Sequence, residues 1–138
     1  MKVLIDTNVL VSAALNPNGV PAEAYRKAAS YPNRGMICEQ NLDELKRIFQ
    51  LKFPKKQAAL ETFLATARTT LELVPVPNEE TALEAEIRDI DDRPILRAAV
   101  KAGAEILLTG DKDFLSSGIK QPKMMSPGEF VANSISPY

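Results

Sequence analysis

Short, continuous apolar runs alternate along this chain with longer segments of helical periodicity. That alternation dictates a mainly parallel sheet covered by helices. Lys2-Val3-Leu4-Ile5 is the first such run, and Met36-Ile37-Cys38, Leu71-Glu72-Leu73-Val74, residues 104–109 and Lys123-Met124-Met125 follow it. A strand buried on both faces reads as an unbroken apolar run, not as strict alternation. Helices are expected over residues 9–15, 20–30, 42–51, 54–69, 94–102 and 111–115. Asn41 is placed to cap the third of them, and Ser126-Pro127-Gly128-Glu129 opens a last one. Residues 79–87 read as helix or loop. The expected fold class is α/β, a three-layer sandwich around a central, mainly parallel sheet.

A length of 138 residues suits a single core, and no repeat, low-complexity tract or linker divides it, so residues 1–138 are read as one domain. Hydrophobic residues at 45% and charged residues at 25% are ordinary for a soluble globular chain. A net charge of -1 does not advertise nucleic-acid binding, but clustered carboxylates would mask a local basic patch in the sum. The chain has no histidine, which removes a Ser-His-Asp triad, a Cys-His pair and a histidine-rich metal site together. The single Cys38 forms no internal disulfide and lies in an apolar run. It reads as a core residue, not a nucleophile, and a cytoplasmic location is expected. No basic-then-apolar leader opens the chain, and no apolar run is long enough to span a bilayer.

Four acids fall where strands hand over to loops or helices: Asp6, Glu44, Asp92 and Asp111. Strand ends at one edge of a parallel sheet converge, and carboxylates brought together there repel unless a divalent cation neutralises them. Each acid also has a plainer reading. Asp6 can serve as a helix N-cap, worth about 1 kcal/mol. Thr7 and Asn8 can satisfy nearby backbone groups. Glu44, with Asp43, belongs to the first turn of the 42–51 helix, where acids complement the macrodipole. Asp91 or Asp92 is expected to cap the 94–102 helix. With Asp89 there are more acids than capping requires, so the surplus is solvated, paired with Arg88 or Arg93, or placed on a cation. The calcium-loop pattern is absent. Asp111 and Asp113 flank Lys112 behind Gly110, which is expected to permit a sharp turn. The recurrence of acids at corresponding sheet edges carries the signal that no single acid does. Lys46, Arg47, Lys52, Lys55 and Lys56 form the densest basic stretch, with Lys112 beside the last acids; such residues are most often a solvated face.

These motifs resemble the PIN-domain nucleases. The opening Val3-Leu4-Ile5-Asp6-Thr7-Asn8-Val9-Leu10-Val11-Ser12 is similar to the family's first motif, and Glu44 sits in the helix of its second acid. Asp89-Ile90-Asp91-Asp92, the Ala-rich helix and Gly103-Ala104 resemble the third motif. Leu107-Leu108-Thr109-Gly110-Asp111-Lys112-Asp113-Phe114-Leu115 resembles the fourth, and Ser126-Pro127-Gly128-Glu129-Phe130 the family's closing segment. The resemblance runs over essentially the full length and is nearest to bacterial VapC-like toxin components of toxin–antitoxin systems. It implies a Mg²⁺- or Mn²⁺-dependent endoribonuclease acting on single-stranded RNA. Asp6, Glu44, Asp92 and Asp111 would be its catalytic, metal-binding acids and Asp113 an auxiliary ligand. Thr7, Asn8 and Lys112 would contact the substrate or support the acids. A homodimer and a cognate antitoxin are the implied protein partners. Arg93-Pro94 departs from the relatives' usual polar residues. The Asp89-Asp91-Asp92 cluster leaves the third acid open, with Asp92 favoured by its spacing to Asp111. Two other readings stand beside this one. The first is a non-catalytic PIN-like RNA-binding or assembly module, disfavoured by the complete acid set. The second is another metal-dependent phosphoryl-transfer enzyme of receiver-like fold, disfavoured because Asp6 is followed by Thr7-Asn8 where an Asp-x-Asp pattern is needed.

Overall fold

The computed structural model describes residues 1–133. Five strands, β1 (Lys2–Ile5), β2 (Arg34–Cys38), β3 (Glu72–Val74), β4 (Ile106–Leu108) and β5 (Lys123–Met125), form one sheet in the order β3-β2-β1-β4-β5. Every pairing is parallel. The chain starts in the middle of the sheet, fills one side through β2 and β3, then crosses to β4 and β5. The order therefore reverses between β1 and β4, and the crevice beyond the carboxyl ends of those two strands is where open α/β sheets bind ligands. Register sets Ile5 opposite Leu108, and the Asp6 N–H continues the ladder to the Leu108 carbonyl at 2.9 Å.

Side chains along each strand point to opposite faces, so successive residues feed different cores. Val3 and Ile5 join one core with α1 (Thr7–Leu15), α2 (Val20–Ala28), α3 (Glu39–Lys52), α4 (Gln57–Thr70) and α7 (Pro127–Ala132). Leu4 joins the other with Met36, Cys38, Leu107, α5 (Arg93–Ala102) and Phe114 of α6 (Lys112–Leu115). The result is the three-layer α/β sandwich expected, with helices on both faces of a buried sheet. Among the described residues, no helix is long and apolar enough to cross a membrane.

Local signals account for most element ends. Ser126 and Glu129 form a capping box on α7. Gly103 ends α5 in the left-handed conformation at φ 72°, which glycine adopts without steric penalty. Four expectations need correcting. Asn41 does not cap α3; the helix already begins at Glu39, and Asn41 is fully buried inside it. Glu44 consequently lies beyond the first turn. Neither Asp91 nor Asp92 caps α5 with its side chain; a 3₁₀ turn, Ile90–Asp92, runs directly into the helix, and Asp89 caps that turn. Gly110 is not among the glycines with positive φ. The turn there does not depend on glycine's freedom, and the Gly110 N–H instead donates to Asn8 Oδ1 at 2.9 Å. Residues 79–87, left between helix and loop, contain a 3₁₀ helix, Ala82–Glu86, pinned by the Glu84–Arg97 ion pair at 2.7 Å.

Candidate active site

Asp6 leaves β1 in extended conformation and caps α1, its Oδ1 accepting the Thr7 N–H at 2.8 Å. A cap needs one such bond, yet this carboxylate receives several. Its Oδ2 accepts from the Thr109 hydroxyl at 2.8 Å and from the Asn8 amide at 3.1 Å, while the Asn41 amide reaches Oδ1 at 3.4 Å. The side chain is only 3% exposed. Burial pushes its pKa up to about 6; the Thr109 and Thr7 hydrogen bonds oppose that rise, and the charges of Asp111 and Glu44 add to it. Thr109, at the end of β4, also accepts the Asp111 N–H at 3.0 Å. Asp111 in turn caps α6 by accepting from Asp113 N at 2.9 Å. The ends of β1 and β4 are thus laced together through side chains, and both acids are fixed at the same edge.

Helix α3 delivers the next layer. Asn41 donates to the Thr7 hydroxyl at 2.7 Å, and its Oδ1 accepts from the Cys38 thiol at 3.0 Å. Thr7 is therefore buried beneath the site, whereas Asn8 is exposed at its surface. Burial pushes the Cys38 thiol up to about 11, so it is no nucleophile near neutral pH. Gln40 donates to Glu44 Oε1 at 3.1 Å and to the Asp91 carbonyl at 3.0 Å. One amide thus holds Glu44 against the segment that carries Asp92.

That segment brings the third acid inward. Burial pushes the Asp92 pKa up to about 8, helped by its hydrogen bond with Asp111 and by the charges of Asp111, Asp6 and Asp89. Among the described residues, Asp92 Oδ2 is buried with no hydrogen-bond partner. Carboxylate oxygens of Asp89, Asp92 and Asp113 lie within 4.8 Å of one another. Arg88 approaches the rim of this group, its guanidinium 3.7 Å from Asp113 Oδ1. An open groove of about 970 Å³, lined by Gln40, Asp43, Glu44, Arg47, Asp91 and Asp92 among others, runs alongside.

Asp6 feels the charges of Asp111 and Glu44, and Asp92 those of Asp111, Asp6 and Asp89, while the carboxylates that lie within 4.8 Å of one another are those of Asp89, Asp92 and Asp113. Crowded acids, an unpartnered buried oxygen and an oxygen-only donor set fit a hard divalent cation such as Mg²⁺ or Mn²⁺. Lys112 is exposed at the start of α6, and Lys46, Arg47, Lys52, Lys55 and Lys56 are exposed on the α3–α4 stretch. Among the described residues, none of these cations pairs with the site's acids. Sequence reasoning assigned no role at the site to Thr109 or Gln40, and it suggested for Asn41 only a helix cap. A polar residue ending a buried strand was the available signal for Thr109. Nothing in the sequence pointed to Gln40, whose partners come from two separate segments.

Comparison with known proteins gives a consistent result. The family described as PIN domain matches residues 2–113 of this chain. An uncharacterized protein of Methanocaldococcus jannaschii is 30% identical over 121 residues, covering 84% of this chain and 74% of that protein. The solved structure of VapBC2 from Rickettsia felis, bound to a DNA fragment from its promoter, superposes with a TM-score of 0.67 at 22% identity, covering 91% of this chain and 98% of that one. VapC20 of Mycobacterium tuberculosis, a sarcin–ricin loop cleaving toxin, gives a TM-score of 0.58 at 17% identity, covering 86% and 97%. At these identities the two structures establish a shared fold.

Proposed function

The chain belongs to the PIN-domain family, and from that premise we propose that it is a metal-dependent endoribonuclease cleaving single-stranded RNA by in-line hydrolysis. The observation that carries this reading is the crowding of carboxylates from separate segments around Asp6 and Asp92. Both acids hold protons far above the usual carboxylate range, by burial first and then by one another's neighbours. Buried acids set among other carboxylates mark a candidate functional site, and an oxygen-only donor set of this kind suits a hard cation.

In this reading Asp6, Glu44, Asp92 and Asp111 hold Mg²⁺ or Mn²⁺, with Asp113 as auxiliary ligand. A bound divalent cation supplies charge compensation at the phosphate and an activated water. The chain's own residues supply orientation. Thr109, Asn8 and Asn41 lock Asp6 in one rotamer, and Gln40 holds Glu44 beside the Asp92 segment. Thr7 supports from beneath, through Asn41. Asn8 and Lys112, both exposed, face the RNA. With no histidine in the chain, proton transfer falls to a carboxylate or to water activated by the cation.

The likeness to VapBC2 and VapC20 supports a role as the toxin component of a toxin–antitoxin pair. The accompanying assignments are a homodimer, a separately encoded antitoxin that blocks the acidic groove, a single domain over the chain and a cytoplasmic location. The test is cleavage of an end-labelled single-stranded RNA by purified protein with Mn²⁺ and with EDTA. Cleavage confined to the Mn²⁺ reaction is expected. Equal cleavage in EDTA would remove the cation from the account.

A further inference from the structure

Three arginines lie on or beside the loop that carries Asp92, and two of them are tied down. Arg93 Nε donates to the Ile87 carbonyl at 3.0 Å. Arg97 pairs with buried Glu84 at 2.7 Å and donates to the Pro77 carbonyl at 3.0 Å. Arg88 is different. Its side chain is 90% exposed, and among the described residues its guanidinium reaches only Asp113, at 3.7 Å. Among the described residues it is the one cation within ion-pair distance of the acidic cluster.

Structural pairing does not explain that position. An exposed ion pair at this separation contributes little to stability, whereas arginine–carboxylate pairs that hold a fold are short and bidentate. The guanidinium fork matches two non-bridging oxygens of a phosphodiester. A phosphate drawn to a cation on Asp92 and Asp113 arrives beside a fork with most of its donors free.

We propose that Arg88 grips the RNA phosphate next to the acidic centre. This inference rests on the nuclease reading above. Once a cation neutralises Asp113, the weak Arg88–Asp113 contact gives way to the stronger charge-assisted bonds with phosphate. Arg88 then also offsets charge developing on the phosphate oxygens.

Steady-state cleavage of single-stranded RNA by wild type, R88Q and R88K tests it, with Mn²⁺ titrated calorimetrically into each. Both variants are expected to fold, because Arg88 is exposed and makes one weak contact. For R88Q, kcat/KM should fall roughly tenfold or more, and its dependence on salt should flatten by about one phosphate contact. Mn²⁺ affinity should be unchanged or tighter, since a competing cation is gone. R88K should keep the salt dependence but recover only part of the rate. R88Q cleaving like wild type with the same salt dependence overturns the assignment, as does a rate loss matched by lost Mn²⁺ affinity. Wild type that takes up Mn²⁺ but neither binds nor cleaves RNA overturns the nuclease reading and this role with it.

Discussion

The Thr109 hydroxyl donates a 2.8 Å hydrogen bond to Asp6 Oδ2, joining residues 103 positions apart. The same oxygen of Thr109 accepts the Asp111 N–H, so one side chain sets both acids at the carboxyl ends of the two strands flanking the switch point.

Replacing Thr109 by valine keeps the shape and removes both bonds. Mn²⁺ affinity should fall by roughly 10–100-fold, the usual effect of losing a group that orients a ligand. Stability should drop by about 1–3 kcal/mol, because Asp6 stays buried with one donor fewer. Calorimetric Mn²⁺ titration and urea unfolding check both. Unchanged Mn²⁺ affinity in a folded Thr109→Val protein would argue that Asp6 is no ligand.

The raised acids make the metal-free protein sensitive to pH in an unusual direction. Asp6 binds its proton more tightly when folded, with a pKa of about 6 against 3.8, and Asp92 likewise with about 8. Between those limits the native state holds more protons than the unfolded one, so stability falls as pH rises. For Asp6 alone the loss approaches roughly 3 kcal/mol once it is ionised. Glu84 works the other way, held low by its Arg97 hydrogen bond, but its contribution is lost only as pH falls below its ordinary 4.5. In EDTA the melting temperature should therefore decline from pH 5.5 to 8.5, and Mn²⁺ should restore it at the upper end. Asp6→Asn should flatten the decline. A rise across this range in EDTA would contradict the buried, crowded acids.

Glu84 and Arg97 form a largely buried ion pair that makes no contact with the four acids among the described residues. Glu84→Ala leaves Arg97 without its carboxylate and should lower the melting temperature more than loss of the exposed Arg34–Glu72 pair does. Disrupting the exposed Arg34–Glu72 pair should cost at most about 1 kcal/mol. Mn²⁺ affinity should be untouched by either change. Thermal melts of Glu84→Ala and Arg34→Ala give the comparison.

Cys38 is fully buried, and its pKa is pushed up to about 11 by burial. A colourimetric thiol reagent should leave the native protein unlabelled over minutes at pH 8 and titrate one thiol in denaturant. Rapid labelling of the native state would show that the Cys38–Asn41 layer opens.

Features written in a few neighbouring residues were legible in the sequence. β1 runs over Lys2–Ile5 as its apolar run implies, Gly103 ends α5, and Ser126 with Glu129 caps α7. Asp6 and Asp111 were legible for the same reason, each following a short apolar strand. What escaped depends on where segments meet. Asn41 has a good cap's chemistry, but α3 begins before it and turns its amide onto Asp6 and Thr7. Among Asp89, Asp91 and Asp92, a 3₁₀ turn decides orientation: Asp92 faces the other acids, Asp89 joins its rim and Asp91 is exposed. Spacing to Asp111 favours Asp92 in the sequence, but the turn that orients the three acids is not legible there.

The central claim is that acids from separate segments act as one cation-dependent centre for cutting RNA. Its most direct test is the initial rate of single-stranded RNA cleavage in Mn²⁺ by wild type, Asp6→Asn and Asp92→Asn, each confirmed folded by circular dichroism. The account predicts that either substitution reduces the rate at least 100-fold, since each removes a charge that the cation and the phosphate require. Retention of wild-type cleavage by both folded variants would contradict it.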